Sequence, residues 1–467
     1  MKKQVRKIIL TASFCVIGLN TVLYSQSIAG GGMHSIFICN DSTVMACGTD
    51  AQGALGDGTT VSKSTPVQIN SLSGVIAVAG GDRHSLFLKQ NGTVWSCGAN
   101  NYLQLGDGSG GVDQHTPVKI NSISGIVAIS AGWRHSLFVK NDGTVWACGD
   151  NGSGQLGDGS TNSPLTTVNA SSLSGITATA AGQSHSIFLK NDSTVWICGD
   201  NGHGQLGDGT TTTRHTPVLI NSLTGIIAIA AGQHHSLFIK KNGTVWACGR
   251  NDYGQLGDGT TIERHSPVQV NSLTGIIAVG AGGATYHSLF LKNDGSVWAC
   301  GTNVQGQLGN GTNTTKDSIP VQVSSLSGIT AIATGNSFSL YHKNDGTVWA
   351  SGGNGFGNLG NGTFANSNVP VQTAGLCAVM SIEENSEKNI LKVFPNPSAG
   401  IIQIGENGTA FPVTIELINV LGKTVLKQEI NSPSEIIDLS SFENGLYALL
   451  FSGKSKSAGC KKLIIQK

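Results

Sequence analysis

Six histidines, each followed by a serine, are the residues of this chain with the most obvious chemical potential: His34, His84, His135, His185, His235 and His287. An adjacent His-Ser pair could be a base with its nucleophile, and six imidazoles could ring a metal ion. The spacing speaks against both. Successive pairs stand 50, 51, 50, 50 and 52 residues apart, and Phe338-Ser339 follows after a further 51. One pair therefore falls in each of seven repeats. Neighbouring residues on a strand point to opposite faces, so the two side chains of one pair cannot meet as base and nucleophile. A zinc ion needs its donor nitrogens at about 2 Å, closer than one histidine per repeat can converge. Each histidine is expected to link neighbouring repeats by hydrogen bonds instead, because buried polar groups need partners.

Ten cysteines raise the question of disulfides. Cys47, Cys97, Cys148, Cys198, Cys248 and Cys300 occupy one equivalent position in successive repeats, with Ser351 in the seventh. Equivalent positions in a radial array lie too far apart for a disulfide, so these six are expected to be free, buried and apolar in behaviour. Asp57, Asp107, Asp158, Asp208 and Asp258, each before a glycine, lack the alternating ligands and distal Glu of a calcium loop. They are expected to bond nearby backbone in turns. No phosphate loop, Cys-x-x-Cys or Gly-x-Ser-x-Gly occurs, so no catalytic residue, metal or cofactor is assigned.

What varies while the frame stays constant is more informative. The two positions before each His-Ser pair change freely: Asp82-Arg83, Trp133-Arg134, Gln183-Ser184, Gln233-His234 and Thr285-Tyr286. A second varying set follows each Gly-Gln-Leu-Gly segment, with Asp113 to His115, Arg214-His215, Glu263 to His265 and Lys316-Asp317. Variable loops on a rigid frame are the arrangement of a binding protein. Arg83, Trp133, Arg134, Gln183, Gln233, His234 and Tyr286 are therefore the candidate ligand-binding residues, and Trp, Tyr and Arg are the types that anchor interfaces.

The elements that position them follow from the same repeat. In the fifth copy, Gly225 to Ala230, His235 to Lys240, Thr244 to Cys248 and Ser266 to Val270 each predict a short strand. Lys241-Asn242-Gly243 suits a tight hairpin, and proline opening the last strand suits an outer edge. Four antiparallel strands repeated radially describe a propeller blade. The first copy opens with only Ser27 to Gly30, while Ala374 to Ile382 is surplus at the other end. The mismatch predicts ring closure, with the C-terminal piece completing the N-terminal blade.

The recurring Ala-Gly-x-x-His-Ser, Asn-Asp-Gly-Thr-Val-Trp and Gly-Gln-Leu-Gly-Asp-Gly elements resemble the regulator of chromosome condensation repeat family, with Gly-Gln-Leu-Gly beginning at Gly154, Gly204, Gly254 and Gly306. The resemblance implies a seven-bladed β-propeller over residues 26–382. Cysteine after Val-Trp-Ala, where the family often has tryptophan, should alter packing more than fold. The family namesake is a nuclear exchange factor for a small GTPase, but an export signal removes that partner. Lys2, Lys3, Arg6 and Lys7 precede the apolar run Ile8 to Leu19, so residues 1–25 read as a signal peptide. That run is too short to span a bilayer, and no other stretch could. Residues 383–389 read as a polar linker. Residues 390–467 resemble the C-terminal sorting domain of the type IX secretion system, through Pro395-Asn396-Pro397, Gly400, Gly422-Lys423 and Gly445-Leu446-Tyr447. The class expected is all-β, a propeller followed by a small β-sandwich-like sorting domain.

Only 12% of the chain is charged and its formal net charge is +1, so it offers no electrostatic footprint for nucleic acid. The expected partners are the type IX machinery and an extracellular protein or glycan. The chain is expected to be monomeric and exported through the periplasm to the medium or the cell surface. A non-catalytic binding scaffold is the favoured function, with an extracellular hydrolase or lyase at the propeller face as the alternative.

Overall fold

The computed structural model describes residues 27–376 except 40–41, 171–172 and 283–284, together with strands and some connections between residues 392 and 465. The chain divides into two compact units, Met1–Cys377 and Ala378–Lys467. Residues 1–25, which carry the expected signal peptide, and the expected linker 383–389 lie outside the described residues. So do Pro395, Asn396, Pro397, Gly400, Gly422 and Lys423. No helix among the described residues is long and apolar enough to cross a membrane.

The first unit is seven four-stranded antiparallel sheets, each made of four consecutive strands. The fifth blade runs Ile226–Ala231, His235–Lys240, Val245–Gly249 and Arg264–Gln269 from the innermost strand outwards. The strand period explains why a blade has two buried faces. Phe238 and Cys248 pack against Leu189, Ile197 and Leu206 of the fourth blade. Leu237, Ile239 and Ala247 turn the other way, against Phe290 and Cys300 of the sixth. Burying one such phenylalanine contributes roughly 2–3 kcal/mol.

Proline does not open the outer strand as expected. That strand begins at Arg264, and Pro267 falls where the register slips between Ala247↔Val268 and Gly249↔Arg264. A bulge tolerates a residue with no N–H to donate.

The ring closes by contact between the seventh and first blades. Ile28, Phe37 and Cys47 share one apolar cluster with Ala331, Leu340, Val348 and Leu359. Ser35 donates to the Asn358 carbonyl at 2.7 Å. The innermost strand of the first blade is Ile28–Gly30, paired as Ile28↔Phe37, Ala29↔Ile36 and Gly30↔Ser35. N-terminal residues thus occupy the position expected for the C-terminal piece, which lies outside the described residues beyond Leu376. The six repeated cysteines are free and buried. Cys39, which stands outside that ladder, is disulfide-bonded.

The second unit has a three-stranded sheet, Lys392–Phe394, Ile401–Gly405 and Ile436–Asp438. Its other sheet is ordered Thr424–Ile430, Val413–Asn419, Gly445–Gly453 and Ala458–Ile465. Ile402 and Ile437 of the first sheet meet Ile415, Leu417, Leu449 and Leu463 of the second in one core, as in a β-sandwich. Gly445 opens its strand, and Tyr447 is buried in that core.

Candidate functional site

In every blade the connection from first to second strand and the connection from third to fourth leave from the same edge. The pairing His235↔Gly249 places both at one end of the fifth blade. The hairpin centred on Asn242-Gly243 leaves from the other end, with Gly243 at φ +75°. One face of the disc therefore collects both variable sets.

The frame beneath that face is a chain of hydrogen bonds from blade to blade. His235 Nε2 lies 3.0 Å from Ser288 Oγ, and Ser288 donates to the Gln255 carbonyl at 2.7 Å. The hydroxyl's proton goes to that carbonyl, so the imidazole must carry its proton on Nε2. Equivalent bonds join His34 to Ser85, His84 to Ser136, His135 to Ser186, His185 to Ser236 and His287 to Ser339. The expected interblade role of the histidines is what the geometry shows. Burial holds each of them neutral, with His34 and His135 lowered to about 4 and His235 and His287 to about 3. A glycine makes room for the rings of His34, His84, His135, His185 and His235: a Cβ on Gly232 would lie 2.1 Å from His235 Cε1.

The turn role of the aspartates also holds. Asp258 Oδ1 accepts from the Thr260 N–H at 2.9 Å and from the Asn251 amide at 3.1 Å. No group of three or more His, Cys, Asp or Glu among the described residues could hold a metal ion.

Above the frame, three grooves between blades pair a residue before one blade's second strand with the residue preceding the Gly-Gln-Leu-Gly position of the blade before it. In the groove of blades two and three, the Arg134 guanidinium lies 4.1 Å from the Tyr102 ring and 4.3 Å from the Trp133 ring. Arg83, exposed at the rim, reaches Asp82 at 3.5 Å. Burial raises Asp82, opposed by Arg83, by a hydrogen bond from the Trp133 side chain and by Arg134.

The groove of blades four and five brings His203 and His234 to a ring separation of 4.9 Å. His203 Nδ1 is 2.6 Å from Glu263 Oε1, and His234 Nδ1 is 3.8 Å from Asp200 Oδ2. Burial first, then the neighbouring His203, lowers His234 to about 4. One groove further, Tyr253 and Tyr286 lie 5.2 Å apart with Arg250 at 5.3 Å from Tyr286. Arg250 is held by both Asp252 oxygens at 2.7 and 2.6 Å.

The seven expected residues thus share one face but form no single pocket. Trp133 and Arg134 gather in one groove, Arg83 reaches it through Asp82, and His234 and Tyr286 line two others. Gln183 and Gln233 lie beside each other, their backbones joined by a bond from the Gln183 N–H to the Gln233 carbonyl at 3.3 Å. Tyr102, His203, Tyr253 and Arg250 are absent from the sequence expectation although they complete these grooves. Their signal was present: the residue before Gly-Gln-Leu-Gly also changes from copy to copy, as Tyr102, Ser153, His203, Tyr253, Gln305 and Phe356. The arrangement can stack on an apolar ring and donate to anions.

Residues 11–285, more than half of the chain, match the family model of the RCC1-like domain. Residues 294–341 match a regulator of chromosome condensation repeat, and residues 392–466 match the secretion system C-terminal sorting domain. The human E3 ubiquitin-protein ligase HERC2 is 33% identical over 137 residues, which are 28% of this chain and 3% of that protein. An endo-acting ulvan lyase of Formosa agariphila is 32% identical over 89 residues, 19% of this chain and 17% of the lyase. Yeast RCC1 (Prp20), solved bound to Kap60, superposes with a TM-score of 0.66 at 19% identity, covering 81% of this chain and 91% of that one. That likeness is one of fold.

Proposed function

The chain belongs to the RCC1-like domain family and carries a C-terminal secretion sorting domain, and from this premise we propose that it is a propeller exported by the type IX route that binds an extracellular protein or glycan without catalysis. The sorting domain supports secretion or display at the cell surface, and the type IX machinery is then its first partner. The basic and apolar start of the chain supports entry to the periplasm by a signal peptide. The working form is a monomer.

The single observation that carries the binding role is the segregation of sequence variation onto one face. Six blades keep the His-Ser bond, while the grooves above it hold Arg134 against two rings, a His203–His234 pair and a Tyr253–Tyr286 pair. A frame this regular presents side chains already ordered, which lowers the cost of immobilising them on binding.

One feature favours the second reading, an extracellular hydrolase or lyase. The His203–Glu263 contact at 2.6 Å beside His234 places imidazole and carboxylate together in a groove, the residue types that general acid–base catalysis uses. Affinity capture from culture medium with the full chain separates the two. Saturable retention of a species recovered unchanged is the expected result. A retained glycan or protein that is cleaved, with cleavage lost in Glu263→Gln, would establish the enzyme instead.

A further inference from the structure

Within the binding role proposed above, one groove is chemically specific. Each of Arg83, Arg214, Arg250 and Arg264 has a carboxylate oxygen within 3.5 Å. Arg134 differs: it forms no ion pair among the described residues, and its guanidinium carbon lies 4.1 and 4.3 Å from the centres of the Tyr102 and Trp133 rings. Ring contact holds the cation in place without an anion. Its five N–H donors have no acceptor among the described residues and are left for something else. A guanidinium with its N–H fork free fits the two oxygens of a carboxylate in a paired hydrogen bond.

The surroundings narrow the carrier of that carboxylate. Arg83, with 58% of its side chain exposed, adds a second cation. Among the described residues the one carboxylate in ion-pair reach of either cation is Asp82, so two arginines face one carboxylate and the groove is net positive. Tyr102 is 38% exposed, offering apolar ring surface next to the charge. The complement is a small ring with C–H groups on its face and a carboxylate on its edge, which describes a uronic acid. An aspartate or glutamate side chain supplies the carboxylate on a methylene stem with no such face. The grooves also recur: Tyr253 and Tyr286 beside Arg250 form an aromatic pair at the equivalent place three grooves on. Repeated sites suit a partner that is itself a repeat.

We propose that the Tyr102–Trp133–Arg134 groove, with Arg83 at its rim, binds the carboxylate-bearing sugar of an acidic polysaccharide. Arg134 takes the carboxylate by its N–H edge, Arg83 adds long-range attraction, and the exposed part of Tyr102 packs on the sugar's C–H face.

The test uses the full chain in calorimetric titration against polygalacturonate, polymannuronate and polyguluronate. Methyl-esterified polygalacturonate, a sulfated galactan and a poly-glutamate peptide are run alongside. Saturable binding of at least one uronate, weakened tenfold or more by esterification, is the expected result. Arg134→Ala should abolish it, Arg134→Lys should recover only part of it, and Arg83→Ala should weaken it two- to fivefold. An unchanged thermal midpoint for each variant shows that the fold is intact. No binding to any uronate, equal binding of the ester, or full affinity in Arg134→Ala overturns the proposal. Preference for the sulfated chain or the peptide overturns it too, and points to a different anion or to a protein partner. A protein captured from medium by a chain that ignores every uronate would leave the binding scaffold standing and remove only this inference.

Discussion

Asp50 occupies the place held by Asn100, Asn151, Asn201, Asn251, Asn303 and Asn354 in the other six blades. In each of those the asparagine oxygen accepts a leucine N–H, and its amide nitrogen donates to the side-chain oxygen of an Asp or Asn seven residues on, as from Asn201 to Asp208 at 3.1 Å. Asp50 keeps the first bond, from the Leu55 N–H at 2.9 Å, but has no amide to offer Asp57. Burial, reinforced by Asp57, pushes the Asp50 carboxyl up to about 7. The folded chain then holds a proton that the unfolded chain releases near pH 4. Stability from this group is complete below that value and is lost as pH rises through 7. Asp50→Asn restores the amide, so the variant should exceed the parent by about 1–3 kcal/mol at pH 8. At pH 4.5 the advantage should nearly vanish. Urea midpoints at the two values check this, and an equal gain at both would contradict it.

The second strands carry the ladder, and its two ends are not equivalent in energy. In the seventh blade Phe338 sits where histidine sits elsewhere, against Gly335, so the seat accepts a phenyl ring. His235→Phe loses the bond to Ser288 yet leaves that hydroxyl donating to the Gln255 carbonyl. Ser288→Ala strands the buried His235 N–H and leaves the Gln255 carbonyl with only the Cys300 thiol at 3.5 Å, and an unsatisfied buried group costs about 1–3 kcal/mol. Urea unfolding should therefore show the serine variant to be the weaker of the two. The histidines also set the acid limit. Burial first, then His287 and His234, lowers His235 to about 3. The unfolded state binds the extra proton between pH 6.5 and that value, so stability falls as pH drops below about 6.5, by up to about 1.4 kcal/mol per pH unit for each histidine. His235→Phe should flatten that slope. This level of structure was legible in the sequence, because period, strand alternation and hairpin residues all lie within one repeat. The grooves were half legible. Tyr102 and Arg134 are 32 residues apart, and His203 and His234 are 31 apart. Their pairing depends on how one blade packs against the next, which no local pattern encodes.

At the scale of the whole ring, the junction of the seventh and first blades departs from the other six. Phe338 interrupts the ladder, Met45 stands where the other third strands have tryptophan, and Ile28–Gly30 is the shortest innermost strand among the seven blades as described. At the preceding junction, of the sixth and seventh blades, Tyr341 replaces the phenylalanine of the other blades and meets Ser351, which replaces their cysteine, at 3.0 Å. A ring has no caps, so it is only as closed as its weakest junction. Cys39 directly follows the second strand of the first blade, His34–Ile38, two residues after Phe37, which belongs to the junction cluster. It is buried and disulfide-bonded. The sequence left this out because the ladder cysteines dominate the pattern, and those six are free, buried and raised by desolvation. An export route through an oxidising compartment suits such a bond. A disulfide in a secreted domain typically contributes about 2–4 kcal/mol. Reductant should therefore lower the thermal midpoint of the parent chain, Cys39→Ala should show the same loss without reductant, and reductant should add nothing further to that variant. A parent indifferent to reductant would mean that the bond adds nothing beyond the packing around Cys39.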